Sequence, residues 1–371
     1  MAKMSGIIFS NIYDGALGDL TANRTVASLP FGGRYRQIDF VLSCMVNSNI
    51  TSVGVITKYN YESLMDHLGS SDEWDLNRRK GGLCIIPPFA FGRSDVYRGK
   101  LEALYTALRF LKSQDSEYVV LSDAITICNI DFRDVLEEHI KSCKDVTAIA
   151  KKPRSINSDY PAVFKTPETG DVKTISVGCT ADDNSLVGMG MFIVGRELLI
   201  KVVEECVTAG FYHFEKDFLQ KYFNEGNISV NVYKYDGIVL RNNSIPTYLK
   251  NNLLLLDESV RNELFKPVAP IYTKVRNEIP TYYEDNSVVD ECIVADGCII
   301  EGELEHSVLF RNVKIGEETK VIGSIVMQGT KIGKGAYIEN AIIDKDAVIT
   351  DGTRLIGAPH NPIIIKKGET I

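Results

Sequence analysis

The residues best placed to do chemistry lie in the first forty. From Ser5 to Phe40 the chain reads SGIIFSNIYDGALGDLTANRTVASLPFGGRYRQIDF. Gly6-Ile7-Ile8-Phe9 is a short apolar strand. Gly15 and Gly18 punctuate the loop after it, and a Pro-Phe-Gly-Gly-Arg-Tyr-Arg turn, Pro30 to Arg36, launches a helix. A glycine loop between strand and helix lets backbone N–H groups approach phosphate, so the pattern points to nucleotide binding by an α/β domain. Other chemistries have less to draw on. The five histidines are isolated and make no metal pair. The eight cysteines (44, 84, 128, 143, 179, 206, 292 and 298) contain no CxxC.

Strands and helices of matching length follow. Ile38, Val41, Leu42 and Met45 give one helix an apolar face. Thr51 to Lys58 reads as a strand rich in β-branched residues, and Tyr61 to Leu68 as a short helix. Leu101, Leu104, Leu108 and Leu111 line one stripe of a helix over Gly99 to Lys112. Tyr118 to Leu121 and Val146 to Ala150 are buried-type strands, with Asp131 capping the helix between them. Leu186 to Val194 and Ile228 to Tyr235 add strands, and Glu197–Glu205, Phe214–Phe223 and Tyr248–Leu256 add helices. This alternation predicts a doubly wound, mostly parallel sheet, with ligands at the strand ends.

The pattern changes near Leu264, where Pro267, Pro270 and Pro280 mark an extended linker. Aliphatic residues then fall at Leu309, Ile315, Val321, Val326, Ile332, Ile338, Ile343, Ile349 and Leu355, in steps of 6, 6, 5, 6, 6, 5, 6 and 6. A hexapeptide period predicts a parallel β-helix of triangular section, the aliphatic side chains stacked inside it. The expected division is 1–263 as an α/β domain, 264–286 as linker and 287–371 as a left-handed β-helix.

Length and charge bound the rest. A chain of 371 residues predicts about two domains. A net charge of −8 argues against nucleic acid as a partner. No apolar run is long enough to span a membrane, and the N-terminus does not read as a signal peptide. Scattered, unpaired cysteines suit a reduced, cytoplasmic setting.

Pro30-Phe31-Gly32-Gly33, Val46 to Ile50, Trp74-Asp75-Leu76-x-Arg78, Tyr97-x-Gly99, Met189 to Phe192 and Lys216-Asp217, followed by the hexapeptide repeat, resemble the bacterial ADP-glucose pyrophosphorylases over nearly the whole chain. The resemblance implies an in-line attack of glucose 1-phosphate on the α-phosphorus of ATP. It would be assisted by a glycine loop, an Arg, a Lys and Mg²⁺ on two aspartates. Gapless alignment replaces each device. Asn11, Ile12 and Asp14 stand at the loop glycines, Ala16 at the arginine and Val26 at the lysine. Ile125 and Arg241 stand at the metal aspartates, although Asp123 is two residues from the first. Asn11, Ile12, Asp14, Gly99, Lys216 and Asp217 would form a vestigial pocket.

The chain therefore looks like the degenerate, non-catalytic D-type subunit of that family. No catalytic residue, metal or cofactor is expected of it. The resemblance further implies a catalytic paralogue as partner in a heterotetramer. It also implies a sugar-phosphate or adenylate effector near Arg24 and Arg36. Lys100 and Arg98 read as a basic cluster at a solvent-facing helix start. One alternative is an active adenylyltransferase rebuilt around Asp123 and Asp14. Another is an acyltransferase, which would need a histidine in the coils, with His306 as the candidate.

Overall fold

The computed structural model describes residues 2–12, 14–88, 97–153, 159–160, 162–166 and 172–371. The chain packs as two compact units that cut across its order. One comprises Met1–Ile12, Val41–Tyr61 and Gly69–Gly237; the other comprises Tyr13–Phe40, Glu62–Leu68 and Ile238–Ile371.

The first unit is built on a nine-stranded sheet. Its strands are β1 (Met4–Phe9), β2 (Ser52–Ile56), β3 (Gly82–Ile86), β4 (Tyr118–Asp123), β5 (Val146–Lys151), β6 (Val163–Lys165), β7 (Thr174–Ser176), β8 (Ser185–Gly195) and β9 (Val230–Lys234). The path runs β7-β6-β8-β4-β1-β2-β3, and β5 joins β8 to β9. β4, β1, β2 and β3 run parallel, as do β5 and β9. β8 is antiparallel to β4, β5 and β6, so the sheet is mixed. The central strands are apolar on both faces because helices cover both. Ile7, Phe9, Val119, Leu121 and Phe192 face Leu101, Leu104, Leu199 and Phe218 in one core.

Helix boundaries follow local chemistry. Asp131 caps Phe132–Ser142 by accepting from Arg133 N, and the helix stops at Cys143 in the left-handed region. The single stripe of leucines from Gly99 to Lys112 is divided between two helices, Lys100–Thr106 and Leu108–Lys112, meeting at Ala107. Phe214–Gln220 is a π-helix, continued by Lys221–Asn224.

In the second unit the hexapeptide repeat forms three five-stranded parallel sheets, the faces of a left-handed β-helix. Val321 pairs with Ile338 and Ile338 with Leu355, one coil apart. Ser324 N donates to Ser307 Oγ and Ala341 N to Ser324 Oγ, each across 17 residues. A 17-residue coil is why the aliphatic steps run six, six, five. Leu309, Ile315, Val326, Ile332, Ile343 and Ile349 are all buried inside. His306 is exposed at a corner, 3.4 Å from Glu291.

The N-terminal segment of this unit departs from the sequence expectation. Residues Asp14–Thr21 form a 3-10 helix kinked at Gly18, where an open glycine loop was expected. Pro30–Phe31 and Tyr35–Arg36 then pair as a hairpin around Gly32 and Gly33, both at positive φ. Asn252 Oδ1 accepts from Gly32 N, on a helix (Ile245–Leu253) whose start is fixed by a capping box of Ser244 and Thr247.

Ile338 lies in the middle of the coil stack and is fully buried. Ile338→Ala should lower unfolding free energy by about 2–5 kcal/mol in urea titrations, through lost transfer energy and the cavity left behind.

Candidate functional site

The end of β4 is where an open α/β sheet holds ligand. The last residue of that strand is Asp123, and Ile125 lies beyond it, fully buried. The carboxylate at the strand end is Asp123, two residues before the position where the alignment set Ile125. Asp123 is itself engaged. Lys100 Nζ lies 2.7 Å from its Oδ1 and 3.0 Å from its Oδ2, and also donates to Glu215.

Backbone shape makes this meeting possible. Gly99 precedes the helix, and a Cβ there would fall 2.3 Å from Tyr212 O. Gly190 sits in a β8 bulge at φ +73, where a Cβ would fall 2.2 Å from Asp123 Oδ2. The Lys100 side chain is 4% exposed and the Asp123 side chain 0%. The reading of Lys100 and Arg98 as one solvent-facing basic cluster is therefore corrected. Arg98 faces solvent beside Glu102, while Lys100 turns inward because two carboxylates there would otherwise be buried unpaired.

These residues do not fit Mg²⁺. That ion demands near-octahedral oxygen ligands and keeps several waters. Here an ammonium takes the carboxylate, with the Phe9 ring 5.5 Å and the Phe192 ring 6.0 Å from it.

The other vestigial positions hold structure together. Asn11 Oδ1 accepts from Ser10 Oγ (2.7 Å) and Lys58 N (2.9 Å), and its Nδ2 donates to Tyr59 O. Ile12 packs on the apolar core. Asp217 Oδ2 accepts from Tyr212 N and His213 N at the start of the π-helix, and Lys216 is exposed. In the second unit Asp14 is buried with its carboxylate on Val26 N, 2.8 Å away, rather than aimed at a phosphate. Ala16 is exposed, Val26 is buried, and Arg241 is half-buried with its carbonyl accepting from Asn251.

That second unit also contains a cationic recess. Arg34, Arg36, Lys274, Arg276, Arg311 and Lys345 line it with His67, Tyr35 and Gln328, and no Asp or Glu is among the described lining residues. Of the two effector candidates, only Arg36 lines it. Arg36 is held by Ser63, its NH1 donating to the backbone O and to Oγ (2.9 Å). Arg24 is instead committed to Asp344, with contacts of 2.6 and 2.7 Å. Asp39 accepts from Arg36 N and contacts His67 Nε2 at 2.6 Å. Asp66 reaches Lys274 (3.5 Å) and Arg276 (3.8 Å) from the side.

This crowding lowers the proton affinity of the groups in the recess. Burial, then repulsion from Arg36, Arg24 and Arg276, pushes Lys345 down to about 7 against the pull of Asp344. Burial pushes Arg36 down to about 10, with Arg24 and Arg276 adding to it and Asp39 and Asp66 opposing. Burial lowers Arg311, and Arg34 and Arg276 lower it further. Burial also holds His67 below its usual value, so it donates to Asp39 as a neutral imidazole. Confined cations with too few partners are stabilised by a polyvalent anion, and arginine forks match phosphate oxygens.

Sequence reasoning missed Lys274, Arg276, Arg311 and Lys345. They come from three separate stretches of the chain, and their only signal was a lysine or arginine among many.

Comparison with known proteins places this geometry. Residues 16–237 match the family described as nucleotidyl transferase, and residues 279–361 match the GlmU-like C-terminal hexapeptide family. The chain is 33% identical over 368 residues to the glycogen biosynthesis protein GlgD of Bacillus subtilis (strain 168), covering 99% of this chain and 96% of that one. It is 37% identical over 367 residues to GlgD of Geobacillus stearothermophilus, with the same coverage of 99% and 96%. It is 32% identical over 341 residues to a glucose-1-phosphate adenylyltransferase of Bacillus cereus, covering 91% of this chain and 90% of that one. No helix among the described residues is long and apolar enough to cross a membrane.

One measurement checks the Arg24–Asp344 pair and another the recess. Arg24→Ala strands Asp344 in a buried site and should cost about 3–5 kcal/mol in chemical denaturation. The unfolded chain holds the Lys345 proton up to about 10.5, but the folded chain only up to about 7. The unfolded state therefore binds more protons between those values, and stability contributed at this site should rise with pH across that window. A bound anion favours the charged lysine, so sulfate should protect best below about pH 7 and progressively less above it. Thermal melts with and without sulfate, in wild type and Lys345→Met, should show both trends in wild type and flatten them in the variant.

Proposed function

The chain belongs to the glucose-1-phosphate adenylyltransferase family, and from that premise we propose that it is a regulatory, non-catalytic subunit acting in glycogen biosynthesis. Its partner is a catalytic paralogue in a hetero-oligomer. The reaction it modulates is ATP plus glucose 1-phosphate to ADP-glucose plus pyrophosphate.

The observation that carries this reading is the ammonium of Lys100 on Asp123. In-line phosphoryl chemistry is almost wholly positioning and charge neutralisation. A carboxylate already neutralised inside the fold has no capacity left for a catalytic metal. The phosphate cations are missing too: Ala16 offers an exposed methyl group and Val26 a buried apolar side chain. A rebuilt active site on Asp123 and Asp14 is disfavoured, because Asp14 is equally committed, to Val26 N.

The cationic recess supports an effector role. A sugar phosphate or adenylate matches its charge, with Arg36, Arg311 and Lys345 as the groups that would hold it. Such a ligand regulates only by binding one conformational state of the assembly more tightly than another.

The test is to purify the chain alone, and with the catalytic paralogue, and to assay ADP-glucose formation with Mg²⁺. We expect no turnover alone, co-purification with the paralogue, and a changed rate or apparent affinity in the complex. The Arg36→Ala, Arg311→Ala double variant should keep the complex but blunt its response to phosphorylated effectors. Turnover alone at ordinary enzyme rates, or a paralogue that neither binds nor responds, would sink the proposal.

A further inference from the structure

Lys100 stands where a buried cation is unexpected. Its side chain begins the helix Lys100–Thr106, where the macrodipole is positive and a cation is disfavoured. It is nevertheless buried, between Asp123 on β4 and Glu215 on the π-helix. The Glu215 side chain is only 12% exposed. The rings of Phe9 and Phe192 add two further electron-rich neighbours at 5.5 and 6.0 Å. Four separated segments thus converge on one ammonium. Gly99 and Gly190 provide the clearance, since a Cβ at either position would clash.

We propose that Lys100 is a tethered counter-ion that occupies the acidic centre of the α/β unit in place of a divalent metal. The centre then keeps its fold without metal and excludes metal from Asp123. The reasoning is electrostatic. Two buried carboxylates without a cation either take up protons or capture a cation from solvent. Lys100 supplies that charge within the chain, so no solution ion gains by entering. It follows that the divalent site is latent: removal of the ammonium should open it. This inference shares the Lys100–Asp123 contact with the non-catalytic reading above, but it holds whether or not the chain regulates a paralogue.

Mn²⁺ serves as the probe, followed by electron paramagnetic resonance and by melting temperature with the full chain. Wild type should bind no Mn²⁺ beyond what Asp123→Asn binds, and its melting temperature should not respond to Mn²⁺. Lys100→Ala should melt lower than wild type in chelator. It should bind Mn²⁺ at least about tenfold more tightly than wild type and recover melting temperature as the metal is added. Lys100→Met should melt lower but not recover, because its side chain still fills the space. Adding Asp123→Asn to Lys100→Ala should abolish the gained binding. Asp123-dependent Mn²⁺ binding by wild type, or a folded Lys100→Ala that gains none, would overturn the proposal. If Lys100→Ala does not fold, the neutral triple variant Lys100→Met, Asp123→Asn, Glu215→Gln decides. Stability above that of Lys100→Met alone is expected, and stability no better than it would overturn the proposal.

Discussion

A charge taken out of water must be partnered, and that constraint orders this molecule. Isolated burial of an ammonium, guanidinium or carboxylate is far more costly than any single contact can offset. Lys100 meets the requirement through Asp123 and Glu215, and Arg24 through Asp344. Each bond also joins segments distant in sequence: 320 residues separate Arg24 from Asp344. Arg36, Arg311 and Lys345 meet it only in part, so burial and mutual repulsion lower their proton affinity. Lys100 and Arg24 balance their charge within the fold, whereas the recess cations leave it incomplete.

The same contrast separates the fate of the α/β scaffold from that of its chemistry. The strands, the bulge at Gly190 and the close approach at Gly99 keep the shape of a ligand-binding edge. Polar groups in each unit are bonded within that unit's own fold. Asn11 latches one loop to the next, Asp217 caps a π-helix and Asp14 caps a turn. Each is a hydrogen-bond acceptor for backbone N–H groups, which contributes to stability.

The β-helix does a different job in the second unit. Its coils place Phe310, Arg311, Gln328 and Lys345 on one recess, and linker residues Lys274 and Arg276 complete it. The period that stacks aliphatic side chains inside also sets which outward side chains lie one above another. Arg311 and Gln328 are one 17-residue coil apart, as are Gln328 and Lys345, so a structural repeat becomes a ladder of functional groups.

Much of the architecture was legible in the sequence because its causes are local and periodic. Apolar runs with β-branched residues marked the strands. Asp131 marked a helix start, and the six, six, five spacing marked the coils. The sequence by itself also determined which chemical groups the chain lacks, since Ala16 and Val26 can neutralise no phosphate wherever they lie. Only the tertiary structure decided what the remaining charged groups do. It showed Asp123 rather than Ile125 at the strand end, turned Lys100 inward and spent Arg24 on Asp344. It also assembled the recess from residues between 30 and 345. The physical reason is that periodicity reports burial along one element, whereas the partner of a buried charge depends on distances between elements that no single stretch encodes.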